Sequence, residues 1–267
     1  MLLITDRAKL IKEYLQRKGK EVTGFELGVS GGIDSAVVLM AAVDAVGKEN
    51  VHCILMPHYY NNHFMDAIQL VKEFEVDYKV VDIKPIVEVF CNSGTAVNGA
   101  FNWSDTTVQN LMARVRMCLL YAEANEYNRI VLGTCNLDEL AIGFFTKHGD
   151  GASDIEPLAC VVKKHVYDLA KLWNASHPEG PRISENILTK APTPDLHAGQ
   201  TDEQDMGTTY KILDKYLEYE ILMTSEERPS EKDRKIVEAL IRKSAHKKNC
   251  PGMPEFDQNI YPDVDVF

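Results

Sequence analysis

The chain of 267 residues is 45% hydrophobic and 26% charged, an ordinary globular balance that excludes a disordered or fibrous protein. Twenty-nine Lys and Arg against 40 Asp and Glu leave a formal net charge of −11, so the surface disfavours nucleic acid and anionic membrane as partners. No stretch reaches the roughly 18 apolar residues of a membrane span, and the start, MLLITDRAKLIKEYLQ, carries no signal-peptide pattern.

Leu10, Ile11, Tyr14 and Leu15 fall at helical spacing and predict a helix over 6–18. Phe25, Leu27 and Val29 lie two apart and predict a strand within 22–29; after a glycine break, Asp34 to Val46 reads as a helix. VHCILM at 51–56 is a buried strand, 63–75 a helix, DYKVVDI a strand, 104–126 a long helix and 129–134 a fourth strand. Strands separated by helix-length segments predict an α/β fold, a doubly wound and mostly parallel sheet flanked by helices, with right-handed crossovers. In such a sheet, ligands bind beyond the carboxyl ends of the strands. From 143 to 208 Gly, Asp, Pro and Thr are frequent, and the segment reads as loops broken by a helix over 164–174. Helices over 207–219 and 229–245 close the chain, and the tail NCPGMPEF is irregular. No hard boundary is visible, so one domain is expected, an α/β core to about residue 175 and a loop-and-helix part over 176–267. The six cysteines form no CxxC pair, which argues against zinc and disulfide frameworks and suits a reducing cytoplasm.

The first strand runs into Ser30-Gly31-Gly32-Ile33-Asp34-Ser35, and a helix follows. Two glycines let the backbone turn tightly and a ligand approach the amides, the serines add hydroxyl donors, and a helix N-terminus favours an anion. No lysine follows the glycines, so this is not a Walker A loop. Asp34 inside an anion-binding turn repels phosphate unless a cation lies between them, and a carboxylate-held Mg²⁺ is the economical cation.

SGGIDS resembles the PP-loop of the ATP pyrophosphatases, which cleave ATP between the α and β phosphates and adenylate a substrate. Four later strings, NLMARVRM, LGTCNLDELAIGFFTKHGDGASDIEPL, TKAPTPDLHAGQTDEQDMGTTYKILDKYL and AHKKNCPGMPEF, resemble the NAD synthetase family in that order, over about residues 22–256. The resemblance implies an adenine nucleotide alpha hydrolase-like fold and an ammonia-dependent ligase. Such an enzyme adenylates the nicotinate carboxylate of deamido-NAD, releases pyrophosphate, and lets ammonia displace AMP to give NAD.

Carried over residue by residue, the resemblance places Gly28, Val29, Ser30, Gly31, Gly32, Ile33, Asp34 and Ser35 around the ATP phosphates. Thr134, Lys163 and Thr193 also fall on ATP-contacting positions, Asp34 and Glu139 on metal ligands, and Asp34, Lys163 and Glu139 form the implied catalytic set. Arg114, Lys147, Asp154, His246 and Lys247 match deamido-NAD contacts, and the family context implies a homodimer with that substrate near the subunit interface. Arg114 and Arg116 lie two apart on a helix, so one faces substrate while the other makes a structural ion pair. Phe144 and Phe145 suit ring stacking or core packing.

The chain departs from the bacterial family pattern, GTCNLDE for GTDHAAE and KAPTPDL for KxPTADL, with the spacing and the key Thr and Glu intact. Residues 91–106 match nothing assignable. No glutaminase domain precedes residue 22, so free ammonia is the expected nitrogen donor. The alternatives are another amidating or thiolating PP-loop enzyme, and a non-catalytic adenine-nucleotide sensor on the same fold.

Overall fold

A computed structural model describes residues 4–93, 103–192 and 201–248. Thr193 and Pro194, the unassigned stretch 94–102 and the chain after Lys248 lie outside the described residues.

In chain order the elements are α1 (Ile4–Gly19), β1 (Phe25–Gly28), α2 (Ile33–Val46), β2 (Val51–Leu55), α3 (Asn62–Glu73), β3 (Asp77–Val80), α4 (Lys84–Asn92), α5 (Asp105–Tyr127) and β4 (Ile130–Leu132). There follow α6 (Leu137–Ile142), α7 (Lys163–Ser176), α8 (Glu185–Thr189), α9 (Asp202–Met206), α10 (Tyr210–Glu220), α11 (Glu231–Lys243) and α12 (Ala245–Lys248). The strands order as β3-β2-β1-β4 and every pairing is parallel, with Phe25 opposite both Val51 and Ile130. All carboxyl ends therefore reach the same edge of the sheet, as the crossover argument requires.

Strand alternation sends Phe25, Leu27 and Cys53 into a core shared with α1, α2 and α7, while Ile54 faces Met112 and Val115 of α5. Helix α2 lies in that first core with nine buried residues, which explains its nearly unbroken apolar sequence. Glu26 is fully buried on the opposite face, where His52 at 2.6 Å and Arg129 at 2.9 Å supply the partners that burial of a carboxylate demands. A separate core joins α6, α10 and α11 through Ile142, Tyr210, Leu213, Leu217 and Val237.

Three details differ from the sequence reading. The third strand stops at Val80, and α4 follows with Pro85 in its first turn, where the missing N–H costs no hydrogen bond. The stretch read as loops contains α8 and α9 besides α7, and α6 lies just before it; α6, α8 and α9 are only five or six residues long, too short to show periodicity. Their N-caps, Asn136, Ser184 and Thr201, each accept a backbone N–H in the first turn. Helices α7, α10 and α11 lie where periodicity put them.

Candidate active site

The turn between β1 and α2 is tied by its own serines. Ser35 Oγ donates to the Gly32 carbonyl at 3.0 Å and accepts from Ser30 N–H at 3.3 Å, while Ser30 Oγ accepts from Gly32 N–H at 3.2 Å. Val29 continues the strand ladder through a bond from its N–H to Ile54. Gly31 sits at φ +81° against α3, and a Cβ there would stand 2.2 Å from the His63 carbonyl oxygen, so only glycine fits. The N-cap of α2 is Gly32, which offers no capping side chain, so the first amides of a fourteen-residue helix stay open toward the carboxyl edge of the sheet.

Three elements converge on that helix start. Lys163, the first residue of α7, is only 3% exposed. Its Nζ lies 2.6 Å from Asp34 Oδ2 and 3.7 Å from Glu139 Oε1, and stands 4.8 Å from the centre of the Tyr210 ring. Asn136 binds both acids. Its side-chain amide donates to Asp34 Oδ1 at 3.0 Å, and it forms a reciprocal capping box with Glu139 at the start of α6. The Tyr210 hydroxyl donates to Asp202 Oδ2 at 2.8 Å and lies 3.3 Å from Glu139 Oε1.

Burial and the nearby Asp34 push Glu139 up to about 8. Burial opposes charge on Lys163, but Asp34, Glu139 and Asp202 together hold it above the usual lysine range. Burial also raises Asp202, and Tyr210 is raised by burial and then by Glu139 and Asp202. The pocket is thus a buried knot of three carboxyls, one phenol and a single ammonium. Beside it, just past β4, Glu156 accepts from Cys135 N–H at 3.0 Å and from the Ser153 hydroxyl at 2.8 Å. Its carboxyl fills the space where a Gly133 Cβ would stand, and burial pushes it up to about 7. Thr134 lies between these residues, half-buried.

A second group forms around the α6–α12 corner. Arg114 Nε donates to the Lys147 carbonyl at 3.3 Å, Lys147 Nζ to the His246 carbonyl at 2.8 Å, and Lys247 Nζ to the carbonyls of Gly143 and Phe145 at 2.8 and 2.7 Å. Four of the five residues expected at the second substrate are therefore linked in one chain of contacts. Asp154 is not among them. Its carboxylate accepts Val131 N–H at 2.8 Å and the Tyr121 hydroxyl at 3.2 Å, which fastens it to β4 and α5. The two arginines do part company, since Arg116 Nε donates to the Met56 carbonyl at 3.0 Å. Phe145 is buried against Gly151, and Phe144 packs on the core of the C-terminal helices, so both serve packing.

Sequence reasoning missed Asn136, Asp202 and Tyr210. The Asn-x-x-Glu spacing of a capping box could have found Asn136. No local signal marks Asp202 and Tyr210; packing of α10 against α6 brings Tyr210 to Glu139, and the Tyr210 hydroxyl brings in Asp202.

A model of the family described as NAD synthase matches residues 3–251. The NH(3)-dependent NAD(+) synthetase of Thermococcus kodakarensis is 41% identical over 92% of this chain and 94% of its own length. Among solved structures, the NMN synthetase from Francisella tularensis superposes with a TM-score of 0.83 at 32% identity, covering 96% of this chain and 100% of that one. The NH3-dependent NAD synthetase from Campylobacter jejuni, in complex with nitrate, gives a TM-score of 0.73 at 28% identity with the same coverages.

Proposed function

The chain belongs to the NAD synthase family, and from that premise we propose that it is an ammonia-dependent ligase that uses ATP to adenylate the nicotinate carboxylate of deamido-NAD. The observation that carries this reading is the meeting of Lys163 with Asp34 and Glu139 beside the uncapped start of α2.

In the first step a substrate carboxylate oxygen attacks the α-phosphorus, and the bond to the β-phosphate oxygen breaks with release of pyrophosphate. In the second, the nitrogen of ammonia attacks the acyl carbon, loses a proton, and AMP departs with the bonding pair. The serine-clasped turn and the open α2 amides cradle the phosphates, and Lys163 counters the charge growing on the pyrophosphate. Asn136 and Tyr210 hold the acids in register. Arg114, Lys147, His246 and Lys247 supply cationic and amide contacts to the dinucleotide on an otherwise acidic protein, and Thr134 and Thr193 contact ATP in the same reading.

Asp34 and Glu139 offer hard carboxylate oxygens at one point where a cation, the lysine ammonium, already sits. That donor set fits Mg²⁺, which takes one or two carboxylates and completes its shell with water and phosphate oxygens. When bound, the ion would neutralise phosphate charge. The reading includes a homodimer with the dinucleotide cluster near the subunit interface, checked by mass in solution. No described helix is long and apolar enough to cross a membrane. The described cysteines are unpaired, which suits a reducing cytoplasm.

Purified protein given ATP, Mg²⁺, ammonium and deamido-NAD should yield NAD, AMP and pyrophosphate in equal amounts. Asp34→Asn and Glu139→Gln should each lower turnover by orders of magnitude while the fold persists. ADP as product, or pyrophosphate release independent of the dinucleotide, would overturn the assignment, and equal use of glutamine would overturn the ammonia donor. The likeness to an NMN synthetase favours one second reading, amidation of nicotinate mononucleotide. Running both acceptors side by side separates the two by their kcat/KM.

A further inference from the structure

Helix α7 carries Lys163 at its first position, yet its own N-cap residue, Val162, has no side chain able to cap it. The cap arrives from another helix. Asp138 of α6, fully buried, accepts Lys163 N–H through Oδ2 at 2.8 Å. Asp214 of α10, 6% exposed, lies beside Asp138 and the start of α7 at Lys164. Each acid turns its Oδ1 into the interior, where no N–H or O–H meets it. Nothing in the proposed chemistry uses either acid, and two buried carboxyls in contact are a costly arrangement to keep without return. Around them stand Lys164, which reaches Glu218, and His165, which lies 3.0 Å from Glu218 and 3.1 Å from Asp168.

The geometry assigns a task to the pair. We propose that Asp138 and Asp214 are positioning residues that set where the Lys163 ammonium stands, Asp138 by capping α7 from α6 and Asp214 by backing that cap from α10; this rests on the functional reading above. An ordinary N-cap would fix α7 only to its own preceding loop. A cap supplied by Asp138 instead ties α7 to the helix that carries Glu139, and Asp214 beside it belongs to the helix that begins with Tyr210. One hydrogen-bonded junction thereby sets the mutual placement of Lys163, Glu139 and Tyr210. The pair touches no reacting atom and acts through the lysine alone.

The test compares Asp138→Ala, Asp138→Asn, Asp214→Ala and, as a control, Ser230→Ala, which removes the N-cap of α11 away from the site. Asparagine keeps the acceptor for Lys163 N–H and can donate to Asp214, so it should restore the function that alanine loses. Asp138→Ala should lower kcat about 10–100-fold, the usual cost of losing an outer support, with KM for ATP within a few-fold of wild type. Asp138→Asn should keep kcat within a few-fold, and Ser230→Ala should lower the melting temperature with kcat unchanged. If Asp138→Ala does not fold, Asp214→Ala carries the same expectation. A folded Asp138→Ala or Asp214→Ala with wild-type kcat would overturn the proposal, as would an Asp138→Asn no better than alanine. Failure of wild-type protein to form the amide would instead strike the functional reading, so the two failures are distinguishable.

Discussion

Replacing Lys163 by methionine keeps the alkyl stem and removes the only ammonium of the buried knot. In the native site that ammonium lies 2.6 Å from Asp34 and 3.7 Å from Glu139, with the Tyr210 ring at 4.8 Å. Breaking a buried ion pair from one side costs about 3–5 kcal/mol, because the remaining charge is stranded. Glu139, already pushed up to about 8, can take a proton, and Asn136 still donates to Asp34 at 3.0 Å. The loss should therefore fall at the lower end, about 3 kcal/mol. Urea unfolding at pH 7.5 in the presence of a chelator measures it, with the m-value held as a check on the two-state assumption. Adding Mg²⁺ without ATP should stabilise the variant more than wild type, since the carboxylates freed of lysine can then bind the cation. A loss below about 1 kcal/mol with unchanged m would refute the reasoning, and so would equal stabilisation of both proteins by the cation. Asp34→Asn in the Lys163→Met background should recover part of the lost stability, as no carboxylate is then left unpaired.

Two further outcomes follow from the neighbouring loops. Gly31→Ala must adopt φ +81° and press its Cβ to 2.2 Å from a backbone oxygen, so it should lose more than about 2 kcal/mol and ATP binding with it; Gly32→Ala, whose Cβ meets only Ser30 Oγ at 3.4 Å, should fold with near-native stability by urea unfolding. Glu156 titrates near 7 in the folded chain against an ordinary 4.5, so the folded state holds its proton longer than the unfolded one. Its stabilising share is whole below about 4.5 and is lost as pH rises through about 7; Glu156→Gln should flatten the stability–pH curve across that window, and an unchanged slope would remove Glu156 as its source.

The parts of this protein that could be read along the chain are those encoded locally. Alternating Phe25, Leu27 and Val29 announced a strand, the unbroken apolar run after Asp34 announced the central helix, and Gly31-Gly32 between them announced an anion-binding turn. The order of strand and helix segments then left little freedom, because parallel strands need long right-handed crossovers and so bring all their carboxyl ends to one edge. Asp34, Glu139 and Lys163 were reachable through motif resemblance, though nothing local distinguishes Lys163 from a solvated lysine at a helix start.

Tertiary structure alone decided who surrounds them. Lys163 lies 129 positions from Asp34, and Tyr210 lies 71 from Glu139. Their contacts arise because α6, α7 and α10 share packing at one end of the sheet, and no periodicity carries that information. The same holds for Asp138, an acid in the first turn of α6 that folding turns into the cap of a different helix. Local backbone preference depends on neighbours a few positions away, whereas burial, charge pairing and proton affinity depend on whatever the completed fold brings within a few ångströms.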